Sequence, residues 1–466
     1  MGRKPAIYDT SGSKELALDR LIDIFRSNGV VRVIYKNLSP NDNSKNQPYV
    51  GGHLTDLGFL PTGDIIESGS TSTKTKDPKR KVKYTTSLNY SWLSAEGKKY
   101  HAPDAKLIYY PQYPEVRLSG FVNKCKFDMG GWMDPIKKGR MPGRVLFFGI
   151  KNNGEILAYL ATPESRIAKE IQEGLSVVLT GVFNEISLGD QLLSGSSKDI
   201  LIKELRRIHQ QEWIPSKRLD STGAEKSYKA QNGGGYTLEA ELGVIPNGIA
   251  EPDFMGWEIK QFGVKKCHLI NSKPLTIMTP EPDGGFYVDN GVEAFLRHYG
   301  YTSEENPERY DFTGRHFSGV VCDKSGLMLV TEGYDPENDM ITDAGGCIAL
   351  LDKAGNPASI WTFAKIMEHW KRKHAKAAYI PSLSMTGTDS IRSYSYCNNV
   401  RLFEGTSFNK LLSGISEAHV YYDPGINLKN ANTSPKTKRR SQFRIKSSSL
   451  HYLYENQDDT DLLISV

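Results

Sequence analysis

Long apolar runs are missing from this chain of 466 residues. None approaches the ~18 residues that a membrane-spanning helix needs, and typical runs are as short as Val145 to Ile150. Met1 to Pro5 are not followed by the apolar segment of a secretory signal, so export is not expected. Cysteine is scarce. Cys125, Cys267, Cys322, Cys347 and Cys397 are odd in number, far apart and without any CxxC or Cys/His spacing. That pattern argues against a structural zinc and against a disulfide framework, and a reducing cytoplasm fits best. A GxxxxGK[ST] phosphate loop is also absent, which disfavours an ATP-driven enzyme. The formal charge of +5 is too slight for this length to identify a partner by itself.

What is present is an ordinary globular composition, 38% apolar, 24% charged and 10% aromatic, with 43 Gly and 23 Pro. At about 150 residues per domain the length allows two or three domains. An early helix is signalled by Leu18, Leu21, Ile22 and Phe25 on one face, with Ser13 as its cap and Gly29 as its stop. From about 30 to 160 the pattern changes to short strands between Gly, Pro and Asn, with Asn152-Asn-Gly154 as a hairpin turn. Residues 68–83, rich in Ser, Thr and Lys, read as a mobile loop. This part reads as a small, mostly β barrel. Glycines and serines around 187–197 form a linker, after which helices and strands alternate. One of those helices runs from Thr362 to Ala375, with Phe363, Ile366, Met367 and Trp370 inward and a solvated basic side including Lys365 and Lys371. That second part is α/β in pattern.

The most informative stretch is Ala250 to Lys260. Asp253 precedes a glycine turn, and the strand that follows carries Glu258 and Lys260 two apart, hence on one face, with Ile259 on the other. Two carboxylates suit Mg²⁺, which prefers oxygen ligands and keeps waters. A lysine beside them can orient or deprotonate an attacking water while the metal offsets charge on a phosphate. Glu-x-Lys alone is equally an exposed salt-bridged strand face. Glu239 stands 14 residues before Asp253 on a helix that follows Gly233-Gly-Gly235.

The whole string resembles the MvaI/BcnI restriction endonucleases and, more distantly, the mismatch-repair nicking enzyme MutH, all PD-(D/E)XK nucleases. The resemblance continues through Leu275 to Gly285, Tyr421 to Gly425 and Arg439 to Arg444. It implies Glu239, Asp253, Glu258 and Lys260 as catalytic residues. It also implies Asp253, Glu258 and the Ile259 backbone as holders of Mg²⁺, with Mn²⁺ as a substitute.

Charge is concentrated near the end of the chain. Residues 429–446 hold seven basic side chains and no acid. On one strand, Lys438, Arg440, Gln442 and Arg444 would share a face beside Arg439, with Phe443 and Ile445 anchoring the other. Such a face reads base edges or grips phosphates, and the pattern does not choose between them. His316, His369 and His374 lack the spacing of a metal set and are expected to be structural or DNA-facing.

The N-terminal part has a polar loop with Lys36, Asn41, Asn43 and Lys45, then His53, and later Arg117. These are ordinary turn residues or phosphate and base grips. Their order resembles the effector-DNA-binding domain of EcoRII-like restriction enzymes, a β-rich pseudobarrel. The expected fold is therefore multi-domain. It comprises a pseudobarrel DNA-binding domain over 1–185, a linker over 186–197 and an α/β PD-(D/E)XK nuclease domain over 198–466. That layout resembles the UbaLAI-type enzymes.

The resemblance implies a monomeric, cytoplasmic, bacterial type II (IIE-like) restriction endonuclease with a CC-W-GG-like site. It would bind double-stranded DNA as target and as effector, with a cognate DNA methyltransferase as genetic partner and without ATP or membrane. The alternatives are a MutH-like nicking repair enzyme and a non-catalytic DNA-binding regulator.

Overall fold

Leu18, Leu21, Ile22 and Phe25 lie on one helix in the computed structural model, α1 (Leu18–Ser27), and all four are buried. Ser13 lies outside the described residues. The Leu18 N–H is met by the Glu170 carboxylate at 2.7 Å, so the helix start is held through tertiary structure. The structure describes residues 6–7, 14–39, 47–69, 82–128, 130–133, 141–172, 178–180, 182–186, 197–245, 253–268, 274–387 and 391–464. Most of the expected linker and of the expected mobile loop, together with Asn41, Asn43 and Lys45, lies outside them. The chain divides into two compact units, residues 1–68 with 83–200, and residues 69–82 with 201–466.

The strands of the first unit's two large sheets begin with β1 (Val30–Leu38), β2 (Tyr49–Gly51), β3 (Ile65–Gly69), β4 (Val82–Ser87), β5 (Asn89–Leu93) and β6 (Lys99–His101). They continue with β7 (Lys106–Tyr110), β8 (Glu115–Ser119), β9 (Arg144–Lys151), β10 (Glu155–Ala161), β11 (Val178–Thr180) and β12 (Phe183–Ile186). They form a seven-stranded sheet, β11-β12-β1-β9-β10-β5-β6, and a five-stranded sheet, β2-β8-β7-β4-β3. The turn of the β9–β10 hairpin is Asn152 to Gly154, as expected, with Gly154 at φ 79°. Helix α1 lies against the large sheet, where Phe25, Val33, Phe147 and Tyr159 share one core. Gly149 makes that contact possible, since a Cβ there would sit 2.6 Å from the Phe25 ring.

In the second unit, α2 (Ser197–His209) and α3 (Gly233–Glu241) pack against β13 (Glu258–Gly263). Leu201, Leu205, Leu238, Trp257 and Ile259 join Ala378, Ile380 and Leu402 in one core. Helix α4 (Phe363–Lys373) is capped by the Thr362 hydroxyl and buries Phe363, Ile366, Met367 and Trp370, as its spacing requires. Lys371, expected on its solvated side, is only 2% exposed. Strand β14 (Lys376–Thr386) runs parallel to β13 and antiparallel to β15 (Arg392–Tyr396) and β16 (Asn399–Glu404).

One expectation from cysteine spacing is overturned. Cys267 and Cys397 form a disulfide, with Cα atoms 5.5 Å apart across 130 residues of sequence. Spacing along the chain cannot reveal a pair that the β13–β14–β15 strand arrangement brings together. Closing so long a loop restricts the unfolded chain, so reduction should lower stability by about 2–4 kcal/mol. Thiol counting on denatured, unreduced protein should find three free thiols, those of Cys125, Cys322 and Cys347. Five free thiols would contradict the bridge.

Candidate active site and nucleic-acid contacts

The site is built by a two-residue turn. Met255 and Gly256 have φ of 47° and 84°, both left-handed, and Phe254 and Trp257 exchange backbone hydrogen bonds across them. Glycine takes such a conformation at little cost, and the tight hairpin folds Asp253 back onto β13. There its Oδ2 accepts the Ile259 N–H at 2.8 Å. Ile259 faces the core with Leu238 and Leu242, so strand alternation puts Glu258 and Lys260 on the other face. Lys260 Nζ lies 2.5 Å from Glu258 Oε1, and the Glu258 side chain is 2% exposed. The structure therefore brings Asp253, Glu258 and Lys260 together.

Glu239 is half-buried on α3, the helix packed on the Ile259 face of the same strand. Helix α3 approaches closely because Gly234 has no side chain; a Cβ there would meet the Gln261 amide at 2.7 Å.

The electrostatics of the group are set by burial and opposed by charge. Burial pulls the Lys260 ammonium down, but the Glu258 carboxylate, with Tyr379 and Asp253, outweighs it and holds Lys260 above its ordinary value. Lys260 is thus a cation held between carboxylates. Asp253 and Glu258 are hard oxygen donors on adjoining positions, a donor set that fits a divalent cation of the Mg²⁺ type completed by waters. Among the described residues no three His, Cys, Asp or Glu side chains converge on one point.

Residues 202–454 match the MvaI/BcnI restriction endonuclease family. The chain belongs to that family. Membership implies a nuclease that acts on DNA. A structure titled "Restriction endonuclease MvaI-cognate DNA substrate complex" is 19% identical over 57% of this chain and 98% of that one, at a TM-score of 0.42. The structure of MvaI in the absence of DNA gives 18% identity over 56% and 96%, at a TM-score of 0.33. No curated protein matches the chain.

Family membership directs attention to the basic segment, which differs from the single strand expected. It is broken into β17 (Lys436–Lys438) and β18 (Phe443–Lys446), paired with different neighbours. Phe443 and Ile445 are fully buried, as expected. Lys438, Arg439 and Arg440 are exposed. Gln442 is only 6% exposed, and its side-chain oxygen accepts from the Thr276 hydroxyl at 3.2 Å. Arg444 donates to Asp423 at 2.7 Å and to the Pro274 carbonyl at 2.8 Å. The expected common face is therefore divided, because the break at 439–442 interrupts the alternation. His316 and His374 are fully buried, as structural residues would be.

In the first unit, Lys36 Nζ lies 5.8 Å from the centre of the Tyr49 ring, and Tyr49 pairs across strands with Arg117. Burial lowers the Lys36 ammonium from its ordinary value. Arg117 stacks over Tyr110 and is paired with Glu115 at 2.5 Å. His53 Nδ1 lies 3.2 Å from the Tyr109 hydroxyl. Lys36 and Arg117, expected from sequence, thus share one basic and aromatic patch with Tyr49 and Tyr110.

Replacing Lys260 or Asp253 with Ala should lower single-turnover DNA cleavage by ~10²-fold or more, since each removes charge stabilisation rather than a base contact. Binding of the same DNA should stay near the wild-type affinity. Cleavage by Lys260→Ala at the wild-type rate would place the active site elsewhere.

Proposed function

We propose that this chain is a Mg²⁺-dependent type II restriction endonuclease that hydrolyses DNA at a short CC-W-GG-like site. In this reading, DNA bound by the first unit stimulates the second. The observation that carries the reading is the convergence of Asp253, Glu258 and Lys260 within the residues matched by the family. Asp253, Glu258 and the Ile259 carbonyl would hold Mg²⁺, or Mn²⁺ in its place. When bound, that ion supplies charge neutralisation at the phosphate and a more acidic water. Lys260 orients the phosphate or the attacking water, while Glu239, expected with them from sequence, stands on α3 against the opposite face of β13.

Lys438, Arg439 and Arg440 are the exposed cations offered to DNA, with Gln442 and Arg444 holding the segment in place. Arginine forks match guanine O6 and N7, so Arg440 is the base-reading candidate. The first unit acts as an EcoRII-like effector domain. The Lys36, Tyr49, Tyr110 and Arg117 patch grips DNA together with His53, Asn41, Asn43 and Lys45. Cation and aromatic side chains in alternation suit a nucleic-acid surface. The layout resembles that of UbaLAI. A monomer working beside a cognate methyltransferase in the bacterial cytoplasm completes the reading.

Incubating the full chain with plasmid and Mg²⁺ tests it, with double-strand breaks as the expected result. Nicks alone would favour a MutH-like repair enzyme, and binding without cleavage would favour a regulator. Two sites on one DNA raise the effective concentration of effector, so a two-site plasmid should be cut faster than a one-site plasmid. A short cognate duplex added in trans should close the gap, since effector binding shifts the catalytic state. Equal rates in all four reactions would reduce the first unit to a scaffold. Arg440→Ala should cost about 1–3 kcal/mol of cognate binding and relax sequence preference if it reads guanine. A uniform loss on all DNA with a shallower salt slope would make it a phosphate contact.

A further inference from the structure

Behind the Lys260–Glu258 pair stands a row of buried hydroxyl and imidazole groups that the reaction as described does not use. Strand β14 runs parallel to β13 with Tyr379 in register with Lys260, and Tyr379 pairs in turn with Arg401 of β16. In-register neighbours point to the same face, so the Tyr379 ring lies beside Lys260 on the face that carries Glu258. Tyr379 is fully buried, and its hydroxyl meets no partner at ordinary hydrogen-bond geometry. It is nonetheless bracketed by Lys260 and by the Tyr454 hydroxyl, both close enough to act on it electrostatically. A buried hydroxyl left without a partner costs about 1–3 kcal/mol, which calls for a reason.

The far end of the row is held firmly. His374 is fully buried and stacked on Trp370 with ring centres 4.0 Å apart. Its Nε2 lies 2.9 Å from the Ile277 carbonyl, and its Nδ1 lies 3.0 Å from the Tyr454 hydroxyl. A carbonyl only accepts, so Nε2 carries the proton and the neutral ring presents Nδ1 as an acceptor. Tyr454 must then donate to His374, and its oxygen is left to accept from Tyr379. The Tyr379 oxygen is left in turn to accept from Lys260. One carbonyl thus sets the direction of the His374–Tyr454 hydrogen bond and leaves Tyr379 able to donate to Tyr454 and accept from the lysine.

We propose that Tyr379, oriented by Tyr454 and His374, is a positioning residue for Lys260, closing a hydrogen bond to the ammonium when DNA fills the site. The inference rests on the reading of Lys260 as an active-site residue. The hydroxyl does not touch substrate; it restrains the lysine against being drawn wholly to Glu258.

The test uses the full-length chain with Mg²⁺ and excess protein over a duplex carrying the site at which the wild type cuts. The single-turnover rate is read beside the dissociation constant and the thermal midpoint. Tyr379→Phe should slow cleavage about 10- to 100-fold, the effect of one hydrogen bond to a charged group, with affinity unchanged and a midpoint no lower than the wild type's. Tyr454→Phe should slow it less, and the double variant should be no slower than Tyr379→Phe alone. Independent, multiplicative losses would overturn the row as a unit. A slower rate accompanied by an equal loss of affinity or a fall in midpoint would mean packing, not positioning, and would also overturn it. Should Tyr379→Phe fail to fold, Tyr454→Phe at the wild-type rate would overturn the inference. If Tyr379→Phe is fast while Lys260→Ala is dead, the inference alone falls. If Lys260→Ala is itself fast, the active-site reading falls with it.

Discussion

The hydrogen bond from the Ile259 N–H to the Asp253 carboxylate is the constraint on which the site depends. It spans a turn of two left-handed residues and fixes a loop carboxylate against a strand whose alternation has already separated Glu258 and Lys260 from the core. A strand supplies the spacing, the turn supplies the third group, and neither works alone. The strand is in turn held by β14, whose six in-register parallel pairs run from Glu258 with Ala377 to Gly263 with Ser382. Ala377 beside Glu258 and Tyr379 beside Lys260 give the two charged residues different lateral neighbours.

Burial makes the grouping costly and therefore informative. A carboxylate at 2% exposure is a heavy desolvation unless a cation shares its surroundings, and Lys260 is that cation. Pairing offsets the burial and keeps the lysine charged. A stability-driven fold does not require such a pair, since well-packed apolar residues often serve as well.

Much of this was legible in the sequence because it is local. The turn, the two-residue spacing and the inward Ile259 all lie within Asp253 to Lys260. The apolar periodicity of Phe363 to Trp370 likewise specified its own helix. What was hidden depends on long-range pairing. Tyr379 gains its place only because β14 lies beside β13, and the Cys267–Cys397 bridge joins segments that no spacing connects. The basic segment was misjudged for the converse reason. Its alternation is real at Phe443 and Ile445, but neighbouring strands claim its two ends separately. Arg444, a free arginine on paper, is taken by Asp423.

The most direct measurement is anomalous scattering from Mn²⁺ in crystals of the chain grown with DNA. The account predicts a peak within coordination distance of the Asp253 and Glu258 carboxylates, about 2.0–2.2 Å for such hard cations. A well-occupied Mn²⁺ peak elsewhere on the DNA-bound protein, with none at these two carboxylates, would contradict it.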